Sequence, residues 1–500
     1  MSLHAYLSEV NRDRLHRIAL KRGVSGPSLT FKALFDQVDQ LSLNFKRASV
    51  ISICLDNSIE NVVLFLAITA AGGIVAPLNP SYTSDEFLFY LKRSPGGLVV
   101  PKSGNVNATA AANTLGLPIY TVDCDGAGRV SMMPEQKVTR SEVISDDAAL
   151  ILFTSGTTGE PKPVPLSHAN LIASVKNISA TYNLSPSDST LAVMPLFHIH
   201  GLMASLFSTL STGGCVILPS GGKFAASSFF SELVTNGCTW YSAAPTIHHI
   251  LLNQKAGKDL LKRHKLRFVR SCSSALAPSV LHQVEAMYGV DVLEAYAMTE
   301  ASHQMTSNPI GGSRKPGTVG KPFGSVDVKI FSPEGAVVTA AGIHGEICVR
   351  GPNVTKGYLG NASANATAFY GAFFRTGDQG FVDADGFLTI TGRLKELINR
   401  GGEKISPIEI DTVLLSHSQV LEAVAFGMPD AKYGEMVGAA VVLRPRSGLN
   451  ETDLKTFVAS KVIKFKVPER IFIADSLPRT ATGKIQRRLV AEKFLSRSKM

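Results

Sequence analysis

Residues 154–162, Thr-Ser-Gly-Thr-Thr-Gly-Glu-Pro-Lys, put hydroxyls, glycine backbone and a terminal cation into one run. The apolar stretch before them, Ala148 to Phe153, reads as a buried strand. A strand opening into such a loop offers backbone N–H groups, hydroxyls and a lysine ammonium to a polyphosphate. A plain Gly/Thr turn is the other reading of this composition, and nine residues in this order argue against it. No G-x-x-x-x-G-K-[ST] stretch occurs in the chain, so the loop is not a Walker A sequence. Its phosphate site belongs to a different nucleotide chemistry.

Three further stretches carry chemical groups. Residues 294–300, Glu-Ala-Tyr-Ala-Met-Thr-Glu, combine a ring able to stack on a purine, a hydroxyl for a phosphate and a carboxylate able to hold Mg²⁺. Residues 374–378, Phe-Arg-Thr-Gly-Asp, place a carboxylate after an expected tight turn, where it can accept both hydroxyls of a ribose. Residues 478–484, Pro-Arg-Thr-Ala-Thr-Gly-Lys, end a polar loop in a lysine. Taken singly, each reads as ordinary loop or a solvated cation. Their order along the chain is what gives them weight.

The elements that must position these groups follow from periodicity and turn signals. From residue 50 to about 300, apolar runs alternate with helical stretches, which predicts parallel α/β sheets. The expected strands include Val50–Leu55, Gly97–Val100, Leu191–Met194, Gly214–Leu218, Trp240–Ala244 and Leu266–Arg270. Glu60–Ala71 reads as a buried helix feeding a strand at Ile74–Ala76. Between about 315 and 392 the strands shorten and glycine turns multiply, as in a compact β module. The texture changes again after Arg393, which divides the chain into 1–394 and 395–500.

Length and charge narrow the class. Five hundred residues, 45% hydrophobic and 18% charged, exceed one core. Six scattered cysteines without a C-x-x-C pair argue against a disulfide framework or a zinc site and suit a reducing compartment. Nothing resembles a secretory signal, and the uncharged stretch from Val62 to Pro77 is too short and too broken by Gly72, Gly73 and Pro77 to span a membrane. Of the net charge of +10, residues 395–500 hold 18 basic against 12 acidic side chains. No zinc-finger spacing or RNA-binding aromatic motif accompanies them, so no nucleic-acid partner is expected. A basic surface facing a phosphorylated small molecule fits better. The final Ser498-Lys499-Met500 is close to the Ser-Lys-Leu address, which predicts recognition by a peroxisomal import receptor; the cytoplasm is the alternative location.

Taken together, TSGTTGEPK, YAMTE, RTGD, GRLKELINRGGEKISP and PRTATGK resemble, in order and over nearly the whole chain, the AMP-forming acyl-adenylate family of acyl-CoA synthetases, luciferases and peptide-synthetase adenylation domains. Pro163 and Ala297 depart from glycines common in that family. The resemblance implies an α/β fold: a large N-terminal domain of two α/β sandwich subdomains plus a distorted β-barrel, followed by a small mobile α+β C-terminal domain. It also implies ATP, Mg²⁺ and coenzyme A as reactants or cofactors. By the same resemblance Thr154, Ser155, Gly156, Thr157, Thr158, Gly159 and Lys162 hold the β- and γ-phosphates and Glu300 the Mg²⁺. Ser274, Glu294, Ala295 and Tyr296 border the nucleotide, Thr299 meets the α-phosphate, and Asp378 and Arg393 meet the ribose. Lys484 is the adenylating lysine, Lys395 the hinge, and Gly401, Gly402 and Lys404 line the coenzyme A channel after rotation of the small domain.

The acid is indicated by polar residues. PLFHIHG, SCSSALAP, EAYAMTEASHQMTSNP and ELINRGGEKISP resemble the oxalate-activating ligases of plants and fungi, which implies that His198, Ser273 and His303 bind oxalate. Donors in the acid pocket would be left unpaired by an alkyl or aromatic acid, at about 1–3 kcal/mol each, whereas a second carboxylate would satisfy them. Ala297 narrows the slot further. The expected reaction converts oxalate, ATP and coenzyme A into oxalyl-CoA, AMP and pyrophosphate. Malonate, a medium-chain fatty acid and a coumarate-type acid are the alternative substrates.

Overall fold

The computed structural model describes residues 1–135, 142–154, 161–254, 258–479 and 485–497. Two large sheets form the body. In the first, Ile119–Cys124, Gly97–Pro101, Val50–Ile53, Ile74–Pro77 and Ala148–Thr154 lie side by side and parallel. Antiparallel strands Val130–Met133 and Lys162–Ser167 close its edges. In the second, Asp291–Met298, Phe268–Ser271, Trp240–Ala243, Ser189–Leu191, Cys215–Leu218 and Ile18–Arg22 form the parallel run. Strands buried on both faces need continuous apolar sequence, which is why these segments read as apolar runs rather than alternations.

Helix Ile59–Ala70 shows how the sheets are joined. The Ser58 side chain accepts from the Asn61 N–H at its start, and almost every residue after that is buried. Phe65 packs on Phe207 at 5.1 Å between ring centroids, within a core shared by both sheets. Gly72 then turns with φ +75°, a conformation a side chain would strain, and the chain enters Ile74–Pro77.

A six-stranded antiparallel sheet follows, built from strands between Asp327 and Arg393. The last sheet has five strands, begins at Ile398 and has its own core around Ile405, Ile410, Ala439 and Val441. Among the described residues no helix is long and apolar enough to cross a membrane.

Three local expectations change. The strand expected over Leu191–Met194 spans Ser189–Leu191 instead. Buried Asn57 explains the early end: its amide donates to the Ala192 and Met194 carbonyls, and its carbonyl accepts from the Leu196 N–H. Those backbone groups are satisfied by a side chain rather than by a neighbouring strand. The tight turn expected before Asp378 is strand, Phe373–Val382, with the turn-like φ of +72° confined to Gly377. Residues 294–298, which taken alone read as loop, lie in strand Asp291–Met298, and Thr299–Ala301 form a single 3₁₀ turn.

Candidate active site

The nucleotide-type residues gather where the second large sheet meets the antiparallel one. Asp378 and Arg393 face each other on adjacent strands, and the guanidinium lies 2.9 Å from the carboxylate. The buried Tyr296 hydroxyl donates to the same carboxylate. Burial, then the Asp378 charge, holds that phenol well above its ordinary pKa, so it stays a donor. Glu294 lies one strand residue pair away and is also buried. Its carboxylate accepts from the Gly317 N–H at 3.1 Å, and desolvation pushes its pKa up to about 7. Ala295 is buried beside it, Thr299 is half-buried, and the exposed Ser274 hydroxyl donates to the Ser273 carbonyl.

Glu300 sits in the middle of the 3₁₀ turn, 7% exposed. It accepts from the Tyr358 hydroxyl at 3.0 Å, and burial raises its pKa. The Lys162 ammonium lies 4.7 Å from the centroid of the same tyrosine ring. Thr154 and Lys162 are paired across the strands that lead into and out of the phosphate-type loop, so lysine, tyrosine and glutamate form one connected wall. The loop residues Ser155, Gly156, Thr157, Thr158 and Gly159 lie outside the described residues, as does Lys484. No cluster of three or more His, Cys, Asp or Glu that could cage a metal occurs among the described residues. A lone, partly satisfied carboxylate such as Glu300 suits a Mg²⁺ whose remaining ligands are phosphate oxygens and water.

The acid-type residues converge on one imidazole. His200 Nδ1 is 2.9 Å from Ser273 Oγ, and its Nε2 is 2.6 Å from Ser242 Oγ. The His303 ring stacks on His200, with centroids 4.9 Å apart and planes at 29°. His303 is buried, and its Nε2 has no hydrogen-bond partner among the described residues. Burial and then Arg270 hold both imidazoles well below their ordinary pKa, with His198 contributing in each case, so both rings are neutral at pH 7.

The backbone here is strained where the side chains matter. Ser273 (φ +78°), Ser302 (φ +49°) and His303 (φ +96°) all occupy the left-handed region without being glycine. The Ser302 carbonyl is held by the Ser174 hydroxyl. A register shift between Tyr296 and Ala297 turns the facing strand at the same place. His198 and His200 flank the start of a π-helical segment, His200–Phe207, a backbone variant that often marks functional sites.

Sequence reasoning assembled His198, Ser273 and His303 but missed His200, Ser242, Arg270 and Tyr358. Arg270 left one signal, a charge inside the apolar run Phe268-Val269-Arg270. The remaining predicted residues lie elsewhere. Lys395 is exposed between the antiparallel and the five-stranded sheets. Gly401 and Gly402, at φ +59° and +98°, turn the hairpin between Ile398–Arg400 and Glu403–Ile405, with Lys404 exposed on its second strand.

Comparison with known proteins agrees with this geometry. The AMP-binding enzyme family model matches residues 7–359, and the AMP-binding enzyme C-terminal domain model matches residues 409–484. The chain is 47% identical to an oxalate–CoA ligase of Arabidopsis thaliana, covering 95% of both chains. It is 44% identical to an oxalate–CoA ligase of Saccharomyces cerevisiae, over 91% of this chain and 88% of that one. The crystal structure of ATP-bound MatB from Rhodopseudomonas palustris superposes with a TM-score of 0.89 at 28% identity, over 99% of each chain. The chain therefore belongs to the AMP-binding enzyme family, and within it to the AMP-forming acyl-CoA synthetases, as the five ordered motifs implied.

Proposed function

We propose that this enzyme joins oxalate to coenzyme A, using ATP, through an oxalyl-AMP intermediate and with release of AMP and pyrophosphate. The observation that carries the reading is the meeting of Ser273 and His303 around His200, with His198 acting on the charge of both rings, in a polar cluster where an alkyl chain would leave donors unpaired. The two oxalate–CoA ligases at 47% and 44% identity support the same substrate.

In this reading an oxalate oxygen attacks the α-phosphorus of ATP in line, and pyrophosphate leaves. Asp378 accepts from the ribose hydroxyls, Tyr296 with Glu294 and Ala295 borders the base, and Thr299 and Ser274 flank the α-phosphate side. Thr154 to Lys162 hold the β- and γ-phosphates. Glu300 would hold Mg²⁺, which neutralises phosphate charge when bound. Lys484 stabilises the negative charge growing on the α-phosphate and the attacking oxygen. Holding the two reactants in line supplies roughly 7–11 kcal/mol of the barrier reduction.

The second step needs a thiol where the lysine had been. Residues 395–500 turn about Lys395, withdraw Lys484, and bring Gly401, Gly402 and Lys404 to the pantetheine channel, where His198 meets acyl group and thiol. Glycine allows close backbone approach, and Lys404 suits a phosphate of coenzyme A. Ser498-Lys499-Met500 directs the enzyme to peroxisomes through an import receptor. Its removal is expected to return a fluorescent fusion to the cytoplasm.

The test of the reaction is AMP release with oxalate, malonate, octanoate and coumarate at matched concentrations, with and without coenzyme A. Oxalate is expected to give the highest kcat/KM. Faster turnover of any of the others overturns the substrate assignment, and ADP as product overturns the reaction.

A further inference from the structure

Arg270 is wholly buried, and its hydrogen-bond partners among the described residues are two hydroxyls, an amide oxygen and the Cys272 thiol, none of them a carboxylate. Its Nε donates to the Tyr182 hydroxyl at 2.7 Å, one terminal nitrogen to Ser242 Oγ at 3.0 Å, and the other to Gln304 Oε1 at 3.2 Å. No Asp or Glu pairs with it among the described residues, and the groups that act on its charge are the Tyr182 phenol and the Cys272 thiol. A guanidinium does not deprotonate, so the strand pair Trp240–Ala243 and Phe268–Ser271 encloses a permanent charge with no carboxylate counter-ion among the described residues. An uncompensated buried charge is strongly unfavourable. A fold that retains one is arranged for an anion that arrives from outside.

The charge has a hydrogen-bonded route to the pocket, and chemistry fixes the route's direction. Arginine only donates, so Ser242 Oγ is an acceptor towards Arg270. Among the described residues the Ser242 proton has one remaining partner, His200 Nε2, at 2.6 Å. His200 Nε2 is then an acceptor, its proton sits on Nδ1, and that N–H donates to Ser273 Oγ at 2.9 Å. Ser273 consequently keeps its own hydroxyl proton for a ligand. The opposite tautomer would strand the Ser242 proton and spend the Ser273 proton on His200. Each donor in the row is polarised by the one behind it, and the row begins on a cation.

We propose that Arg270 is the specificity-determining positioning residue for the second carboxylate of the acid: through Ser242 and His200 it fixes Ser273 as a donor and supplies the positive charge behind it. This rests on the reading of the substrate as a small dicarboxylate. The open Nε2 of His303, on the ring stacked against His200, provides the second polar contact for the same group. A monoanionic acid of the same shape gains little from this row, so the row discriminates by charge rather than by size.

The experiment compares oxalate with oxamate, its monoanionic amide isostere, in the wild type, Arg270→Met and Ser242→Ala. It also records the long-range ¹H–¹⁵N spectrum of histidine-labelled enzyme, with His200 assigned by its loss in His200→Gln. Arg270→Met is expected to lower kcat/KM for oxalate by roughly 10- to 100-fold while oxamate turnover and the KM for ATP change little. Ser242→Ala should lower the oxalate-to-oxamate ratio in the same direction. The wild-type spectrum should show His200 protonated on Nδ1. A folded Arg270→Met that keeps the wild-type ratio overturns the proposal, and so does a wild-type His200 protonated on Nε2. If Arg270→Met does not fold, Ser242→Ala and the wild-type tautomer decide. A wild type that prefers a monocarboxylate refutes the substrate reading instead, and the tautomer still tests the relay.

Discussion

Glu300 and Asp378 are carboxylates of nearly equal burial with different surroundings. Asp378 has Arg393 at 2.9 Å and a phenol proton, so its charge is matched and its oxygens are fixed. Glu300 has one hydroxyl partner and a pKa raised by burial, so it gains from an added cation. Asp378→Asn should therefore raise the KM for ATP by roughly 10- to 100-fold and leave the KM for oxalate nearly unchanged. Steady-state kinetics with each substrate varied in turn checks this, and equal rises in both would remove the distinction. His303→Ala should do the converse, abolishing oxalate turnover while ATP still raises the Tm; an unchanged oxalate KM would take His303 out of the pocket. The motif residues were legible because each motif is short and contiguous. Arg270 was not, because its meaning depends on Ser242 and Gln304, 28 and 34 positions away, and on Tyr182, 88 positions away. Sequence shows the odd charge in the strand but not the neutral neighbours that leave it unbalanced.

At the scale of elements, the acid pocket depends on one close backbone crossing. A Cβ on Gly201 would stand 2.2 Å from the Pro195 carbonyl oxygen and 2.7 Å from that of Met194. Both contacts are to backbone, so no rotamer change relieves them. The crossing lets the chain turn from Pro195 through His198 into the π-helical segment that begins at His200. Gly201→Ala should cost about 1–3 kcal/mol of stability and disturb His198 and His200 together. Its expected signature is a lowered Tm with oxalate turnover reduced more than ATP binding, read by calorimetry and by nucleotide-dependent thermal shift. An undiminished oxalate kcat/KM would show that the crossing does not set the histidines. The parallel sheets were legible at this scale because doubly buried strands must be apolar. The end of the strand at Leu191 was not, since the sequence at 192–194 stays apolar while Asn57, far away in the chain, captures its carbonyls.

On the whole-molecule scale, several buried histidines set the acid limit of stability. His168 and His248 are held by burial at about 4 and about 3, and His200 and His303 lie well below the ordinary value. Below pH 6.5 the unfolded chain takes up protons at these sites and the folded chain does not, so stability falls as pH falls. Each contributes up to about 1.4 kcal/mol per pH unit in that range. Glu294, Glu300, Asp411 and Asp56 act oppositely: burial raises their pKa, to about 7 for Glu294, so the folded chain is the better proton binder above their unfolded values and their share is lost as pH rises. With His249, held by burial at about 4, five histidines outnumber these four carboxyls, and Tm should drop from pH 6.5 to 5; a flat profile would mean those rings are not buried neutral. The same scale contains the proposed rotation, and the neighbours of its proposed pivot, Lys395, are fastened differently. On one side the Leu394 N–H donates to the Gly377 carbonyl of the antiparallel sheet. On the other, Glu396 pairs with Arg487, which also grips Asp411 of helix Pro407–Leu415. Leu394 is thus fastened to one body and the Glu396 side chain to the other, while the Glu396 and Leu397 N–H groups donate to the Arg393 carbonyl across the pivot. Across the divide the described side chains give Ser279 to the Leu415 carbonyl at 3.3 Å, Arg444 to Asn253 at 3.0 Å and the Ser406 hydroxyl to the Thr391 carbonyl, none of them an ion pair. Proline at 395 would fix φ near −65° and restrict Leu394 as well. Lys395→Pro is therefore expected to keep pyrophosphate release at a single turnover but to lose steady-state oxalyl-CoA formation, because only the second step needs the turn. Pyrophosphate burst and thioester formation measured on one preparation separate the two steps, and an unimpaired thioester rate would move the pivot away from Lys395.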